Sequence, residues 1–418
     1  MSVILLVFQA ILSATIPLAP YFGKFSDTVP TIKLEAGTYV GSVILVQTKE
    51  RYLQAAYPST TVTLNVTDQS KQLFTVNQTT LSLRDVKIVV PTGAAFIVAH
   101  ERAVVELEGV HHAYSTRTTP VVQIRYGKVA LITNTFQANS VHKASLVVAN
   151  EKNDSSFDTT VEVVEWDTGN FTVASETPFI CNPNVHTLNV KHCDLKNVKF
   201  TGAKGAQQNY VKLSKATFSN CHFYRCDGPL SGGIFPAVQA NTVTLDSVLV
   251  ENCTNTVAIS DSFTPRTAAV TITNSTFKFG SSGKTIPDGA GLWIPAQANI
   301  TLSNVIFANN TGSRDGGGLC VVGGYKAFRA TNCQFMANTG FRGGGIYVDR
   351  PSGSELTNTY YTNVTFANKG RQGHDIYFER MGSNVRASSF VNCTSRSTSP
   401  RIYDNGARQG YDWTNSGS

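Results

Sequence analysis

Four aromatic side chains recur at one position of this chain. Trp293, Tyr347, Tyr377 and Tyr403 each follow a Leu or Ile, and most of these follow a glycine-rich run. Two residues further on stand Asp349 and Glu379, then Arg350 and Arg380. Alternate residues of a strand point to opposite faces, so an inward Leu or Ile leaves the aromatic pointing outward. The full column reads Phe235, Ala258, Trp293, Cys320, Tyr347, Tyr377 and Tyr403. Outward rings flanked by carboxylates and guanidinium groups have the makeup of a sugar-binding surface. Two carboxylates on adjacent segments also approach the spacing of a retaining glycosidase. The simpler reading of the same column is ring stacking and salt bridges that stiffen the body.

Other residue types that could do chemistry stand apart. His111, His112 and His374 have no partner at ligand spacing and are expected at the surface or in turns. Arg314-Asp315 precedes a glycine run and reads as a turn. The eight cysteines form no Cys-x-x-Cys pair and no Cys/His cluster with zinc spacing, so no metal or cofactor is expected. The Asn-Thr-Asp, Asp-Asp, His-Gly and Arg-Ile-Lys motifs of polygalacturonase-type enzymes are absent, with Arg401-Ile402-Tyr403 a partial echo.

The elements that position these residues follow from composition and repeat. The 418 residues are 41% apolar and only 15% charged, which excludes a disordered chain. Thr (47) and Asn (30) are abundant, which suits strands and tight turns and predicts a large all-β protein. A net charge of +7 without a basic stripe argues against nucleic-acid binding. Residues 1–14 form an apolar stretch of signal-peptide length, too short to span a bilayer, with cleavage expected after Ala14. No later stretch is long and apolar enough to cross a membrane. Ten Asn-x-Ser/Thr sequons accord with a secretory route. The expected glycan acceptors are Asn65, Asn77, Asn153, Asn170, Asn252, Asn299, Asn309 and Asn392.

A repeat of about 28 residues organises the chain. The anchors Leu195, Phe223, Val250, Phe277, Phe307, Phe335, Phe366 and Phe390 are spaced by 28, 27, 27, 30, 28, 31 and 24 residues. Phe136 and Trp166 extend the series backwards. Glycine runs follow most anchors, as in Gly316-Gly317-Gly318-Leu319 and Gly343-Gly344-Gly345-Ile346. Strand-only units of this length predict a parallel β-helix of about 13 coils of roughly 28 residues, each coil stacked on the last at the strand-pairing distance. One domain is expected over 15–405, with the best repeats at 190–400 and a polar tail at 406–418.

Two columns test this stacking. The position three before each anchor reads His192, Asn220, Ser247, Asn274, Asn304, Asn332, Asn363 and Ala387. Stacked Asn can take the left-handed conformation and hydrogen-bond along the stack. If the ladder points inward, Asn274 and Asn363 are poor glycan acceptors. Cys193 and Cys221 fall at one position of neighbouring coils, and Cys226 and Cys253 at another. Each pair is a candidate disulfide, or else part of a column of buried thiols.

Phe307-Ala308-Asn309-Asn310 and Phe335-Met336-Ala337-Asn338, each followed by a Gly-Gly-Gly run, resemble the Phe-x-x-Asn and Gly-Gly-Ala-Ile repeats of the chlamydial polymorphic membrane proteins and related protist surface proteins. The resemblance implies a right-handed β-helix of the pectin-lyase-like superfamily and a role in adhesion or surface display. Here Gly replaces the Ala of the triplet, and Phe366 has its Asn two rather than three positions on. The expected function is recognition of glycans or surface proteins outside the cell, without catalysis. The alternatives are a polysaccharide lyase or glycoside hydrolase, and a structural wall or coat component.

Overall fold

The computed structural model describes residues 15–20, 31–47, 50–57, 61–137, 139–149, 159–166, 173–175, 180–181, 185–200, 215–228, 241–256, 268–282, 288–294, 298–322, 325–349, 359–379, 389–398, 400–405 and 409–411. The expected signal peptide, Asn153, Asn170, Arg350, Arg380 and most of the polar tail lie outside these residues. The chain divides into two compact units, residues 1–189 with 201–203, and residues 190–200 with 204–418.

Each unit is a stack of short parallel strands. In the first, Thr31–Leu34, Arg51–Ala55, Thr80–Arg84, Ala103–Glu108, Gly127–Ile132 and Thr159–Val164 pair in that order. Alternation along them puts Leu53, Leu83, Leu107, Leu131 and Val163 in the core, one from each coil. In the second, Lys215–Ser219, Thr242–Asp246, Ala268–Thr273, Ala298–Ser303, Tyr325–Thr331, Thr359–Thr362 and Ser389–Val391 do the same. The remaining strands build further parallel faces in each unit. One such face carries five parallel strands per unit, so turns closed by strands on three faces number about 10 among the described residues, fewer than the 13 coils expected.

The anchor column of the second unit is one interior stack. Leu195, Phe223, Val250, Phe277, Phe307, Phe335 and Phe366 pair rung by rung. The four phenylalanines from Phe277 onward lie nearly parallel, with centroids 5.0, 4.9 and 5.4 Å apart, and are fully buried. Such ring pairs add about 0.5–1.5 kcal/mol each beyond the apolar area they bury. The last anchor is corrected: Phe366 pairs with Ser395, while Phe390 stacks on Tyr361 in a different face, with centroids 4.7 Å apart. The ladder residue of that coil is therefore Asn392 rather than Ala387. Trp166 is also off the column, because the Ile132–Val164 pairing sets it opposite Asn134 rather than Phe136.

Asparagine works at two places in several coils of the second unit. On the outside, Asn220, Asn274, Asn304, Asn332, Asn363 and Asn392 all adopt positive φ between 51° and 55°. Asn304, Asn332 and Asn363 each donate a side-chain amide hydrogen to the Asn one coil below, at 3.0, 3.2 and 2.9 Å. This ladder is exposed, so the inward orientation that would have hidden Asn274 and Asn363 does not occur.

On the inside, Asn310, Asn338 and Asn368 form a buried ladder. The first two donate to the next Asn at 2.8 and 2.9 Å, and to Phe277 O and Phe307 O at 2.9 and 2.8 Å. These are the asparagines of the Phe-x-x-Asn motif. The glycine runs lie against them: a Cβ on Gly318 would stand 3.2 Å from the Asn338 amide nitrogen, and one on Gly345 2.8 Å from that of Asn368. The two motifs thus face each other across the coil. Phe366 reaches Asn368 one residue sooner because its coil lacks a counterpart of Ala337, which takes positive φ and marks a shift in strand register.

All eight cysteines are buried, Cys193, Cys221, Cys226 and Cys253 among them. Among the described residues no helix is long and apolar enough to cross a membrane.

Candidate functional site

The aromatic column assembles in the expected register: Trp293, Cys320, Tyr347, Tyr377 and Tyr403 pair in sequence. The Tyr347–Tyr377 and Tyr377–Tyr403 rings stack with centroids 5.4 Å apart. The column is not the open sugar platform expected. Tyr347 is 3% exposed and Tyr377 2%, with Trp293 and Tyr403 partly buried against them. The physical reason is Arg342, whose guanidinium carbon lies 4.9 and 5.4 Å from the two ring centroids.

Arg342 is fixed there by carboxylates. Its Nε donates to Asp315 at 2.6 Å, Nη2 contacts the other Asp315 oxygen, and Nη1 donates to Glu379 at 2.7 Å. Asp315 also meets Arg314, which in turn pairs with Asp288 at 2.5 Å, and Asn405 donates to Glu379 at 2.5 Å. Side chains from several successive coils converge here. Burial pushes the Asp315 carboxyl up, and the bidentate guanidinium works against it. Burial also pushes the Tyr377 hydroxyl up to about 12, reinforced by the Glu379 charge. These acids are held by arginines within the wall itself. Of the predicted residues, Glu379 joins the wall, and Asp349 is its strand partner. Arg314-Asp315, read from the sequence as a turn, belongs to this wall, and Asp288 and Arg342 were missed, although acids or arginines directly before glycines at 289, 316 and 343 mark the position.

A second surface lies on the first unit. A groove of about 270 Å³ is lined by Thr31, Tyr52, Leu53, Gln54, Ser82 and Arg84. Strand register sets Thr31, Tyr52, Ser82 and Glu106 side by side, with Gln54, Arg84 and Glu108 in the adjoining column. The Tyr52 hydroxyl donates to Glu50 at 2.7 Å, and Arg84 forms an ion pair with Glu108. Tyr52 is raised above the usual tyrosine range, first by the Glu50 hydrogen bond. An aromatic ring, a guanidinium, an amide and the Thr31 hydroxyl therefore open on one groove across three coils, with Ser82 buried at its floor. The loose period of this half hid it.

His112 corrects another expectation. It lies in the core strand His111–His112, with Nε2 at 2.8 Å from the Asn134 oxygen and its ring stacked on Phe136 at 4.7 Å. His142 is buried nearby, its Nδ1 accepting from Arg117 at 3.2 Å and its Nε2 3.1 Å from the Ser140 hydroxyl.

The family model described as a right handed beta helix region matches residues 170–335. The chain folds as a right-handed parallel β-helix. A search of curated protein sequences finds no match. Among solved structures, tailspike protein 3 of bacteriophage CBA120 superposes with a TM-score of 0.45 at 12% identity, over 95% of this chain. The β-helix spans 62% of that tailspike chain. A mannuronic acid specific polysaccharide family 6 lyase from human gut microbiota superposes with a TM-score of 0.37 at 12% identity, over 94% of this chain and 91% of that one. At such identity the likeness concerns the fold alone.

Proposed function

We propose that this β-helix is an extracellular recognition protein that binds glycan on the outer face of its coils and does not cleave it. The observation that carries this reading is the groove of the first unit, where Tyr52 offers a ring for a sugar face and Gln54 and Arg84 offer hydrogen bonds to hydroxyl or acidic groups. The convergent carboxylates of the second unit support binding over hydrolysis, because Asp288, Asp315 and Glu379 are each taken up by an arginine. Residues 1–14 as a signal peptide, and adhesion of the kind its repeats resemble, belong to the same proposal.

The test is a glycan array probed with the purified protein beside reducing-sugar release on the glycans bound. Wild type should retain specific glycans without releasing sugar. Tyr52→Ala and Arg84→Ala should each lower retention at least tenfold with the melting curve unchanged. Sugar release by wild type would establish the lyase or hydrolase alternative, and undiminished retention by both variants would remove the groove from the reading.

A further inference from the structure

We propose that Cys193 and Cys221 close a disulfide between two neighbouring coils, so that oxidation staples residues 194–220 into a covalent ring. The strand Asp194–Lys196 pairs with His222–Tyr224, Asp194 opposite His222, which sets the preceding cysteines side by side. The His222 amide donates to Cys193 O at 2.7 Å, drawing the two backbones together at that point. Neighbouring strands run about 4.7–4.9 Å apart, within the Cα separation of roughly 4.4–6.8 Å that a disulfide accepts. The neighbouring Cys193 thiol pulls Cys221 below the usual thiol range. In the same interior column Cys333 and Cys393 are separated by the coil of Val364, and burial pushes both of them up. Cys320 has Trp293 and Tyr347 as its strand neighbours.

The chemistry needs a two-electron acceptor, and a small disulfide such as oxidised glutathione supplies it. The Cys221 thiolate attacks one glutathione sulfur and expels a glutathione thiolate. Cys193, giving up its proton, then attacks the Cys221 sulfur and expels the second. One disulfide is reduced as one forms, and the two protein thiol protons end on the two glutathiones. Both cysteines are 2% exposed, so the exchange belongs to folding rather than to the finished body. The gain is chain entropy removed from the unfolded state.

The full chain refolded in a glutathione redox buffer, then alkylated, digested without reductant and mapped by mass spectrometry, tests this. The Cys193 peptide should be recovered joined to the Cys221 peptide. Reduction should lower Tm by roughly 5–10 °C, and Cys221→Ser should abolish that difference. Should Cys221→Ser fail to fold, the wild-type map decides alone. Recovery of Cys193 and Cys221 alkylated in folded, oxidised protein, or joined to other cysteines, overturns the proposal.

Discussion

At the scale of single residues, the third glycine of each run lies against the buried asparagine ladder. A Cβ on Gly345 would stand 2.7 Å from the Asp375 carbonyl oxygen and 2.8 Å from the Asn368 amide. Both partners are tied down: Asn368 donates to Asp375 at 3.1 Å and accepts from the Asn338 amide at 2.9 Å. Gly345→Ala should therefore cost about 1–3 kcal/mol by forced overpacking, read as a lower midpoint in urea unfolding. An unchanged midpoint would show that the coil can widen. The close approach accounts for Gly where the resembling repeats carry Ala. That these glycines and asparagines recur was plain in the letters. That they touch was not, because ten residues of chain or more lie between Asn310 or Asn338 and the glycine each meets in the adjoining coil, and only closure of the coil brings them together.

Among the elements, periodicity was informative about columns and silent about what covers them. Tyr347, Tyr377 and Tyr403 were placed on one face correctly, yet strand alternation says only that a residue leaves the interior of its own coil. It could not foresee that Arg342, at the end of the strand Gln334–Arg342, would close over two of the rings. Arg342→Ala should take the arginine from Glu379 and leave Asp315 with Arg314 alone, a loss of about 3–5 kcal/mol where such a buried pair is broken. The expected result is a clear fall in Tm, with Arg342→Lys recovering only part because an ammonium cannot make the two-pronged contact. If Arg342→Ala melts like wild type, the wall does not hold this face together.

Across the molecule, the two halves differ in how openly the letters show their architecture. In the first unit the core positions Ile32, Leu53, Leu83, Leu107, Leu131 and Val163 are separated by steps of 21, 30, 24, 24 and 32 residues, too uneven for a period to emerge. That unit also holds a buried basic group of His112, His142 and Arg117, with Tyr114 beside them and His111 and Lys87 acting from outside. Burial lowers His112 to about 3 and His142 well below its ordinary value, with the Arg117 charge adding to both. The folded state thus prefers both rings neutral, while the unfolded chain takes up protons below about 6.5. Stability from these groups is complete above pH 6.5 and is lost as pH falls towards 3. Melting followed by circular dichroism at pH 7, 5 and 4 should show a falling Tm, and His112→Phe should flatten part of the slope. Equal slopes in wild type and variant would mean that the acid response arises elsewhere.

The outer corners of the coils have a consequence for how such chains are read. At Asn274, Asn363 and Asn392 the corner amide is followed by an inward residue and then by an outward Thr. At Asn252 and Asn309 a second corner produces the same order. Five of the ten tripeptides that look like oligosaccharide attachment signals are therefore a by-product of turning the backbone and alternating its side chains. In a protein built this way, the frequency of that signal measures geometry before it measures any enzyme's handiwork.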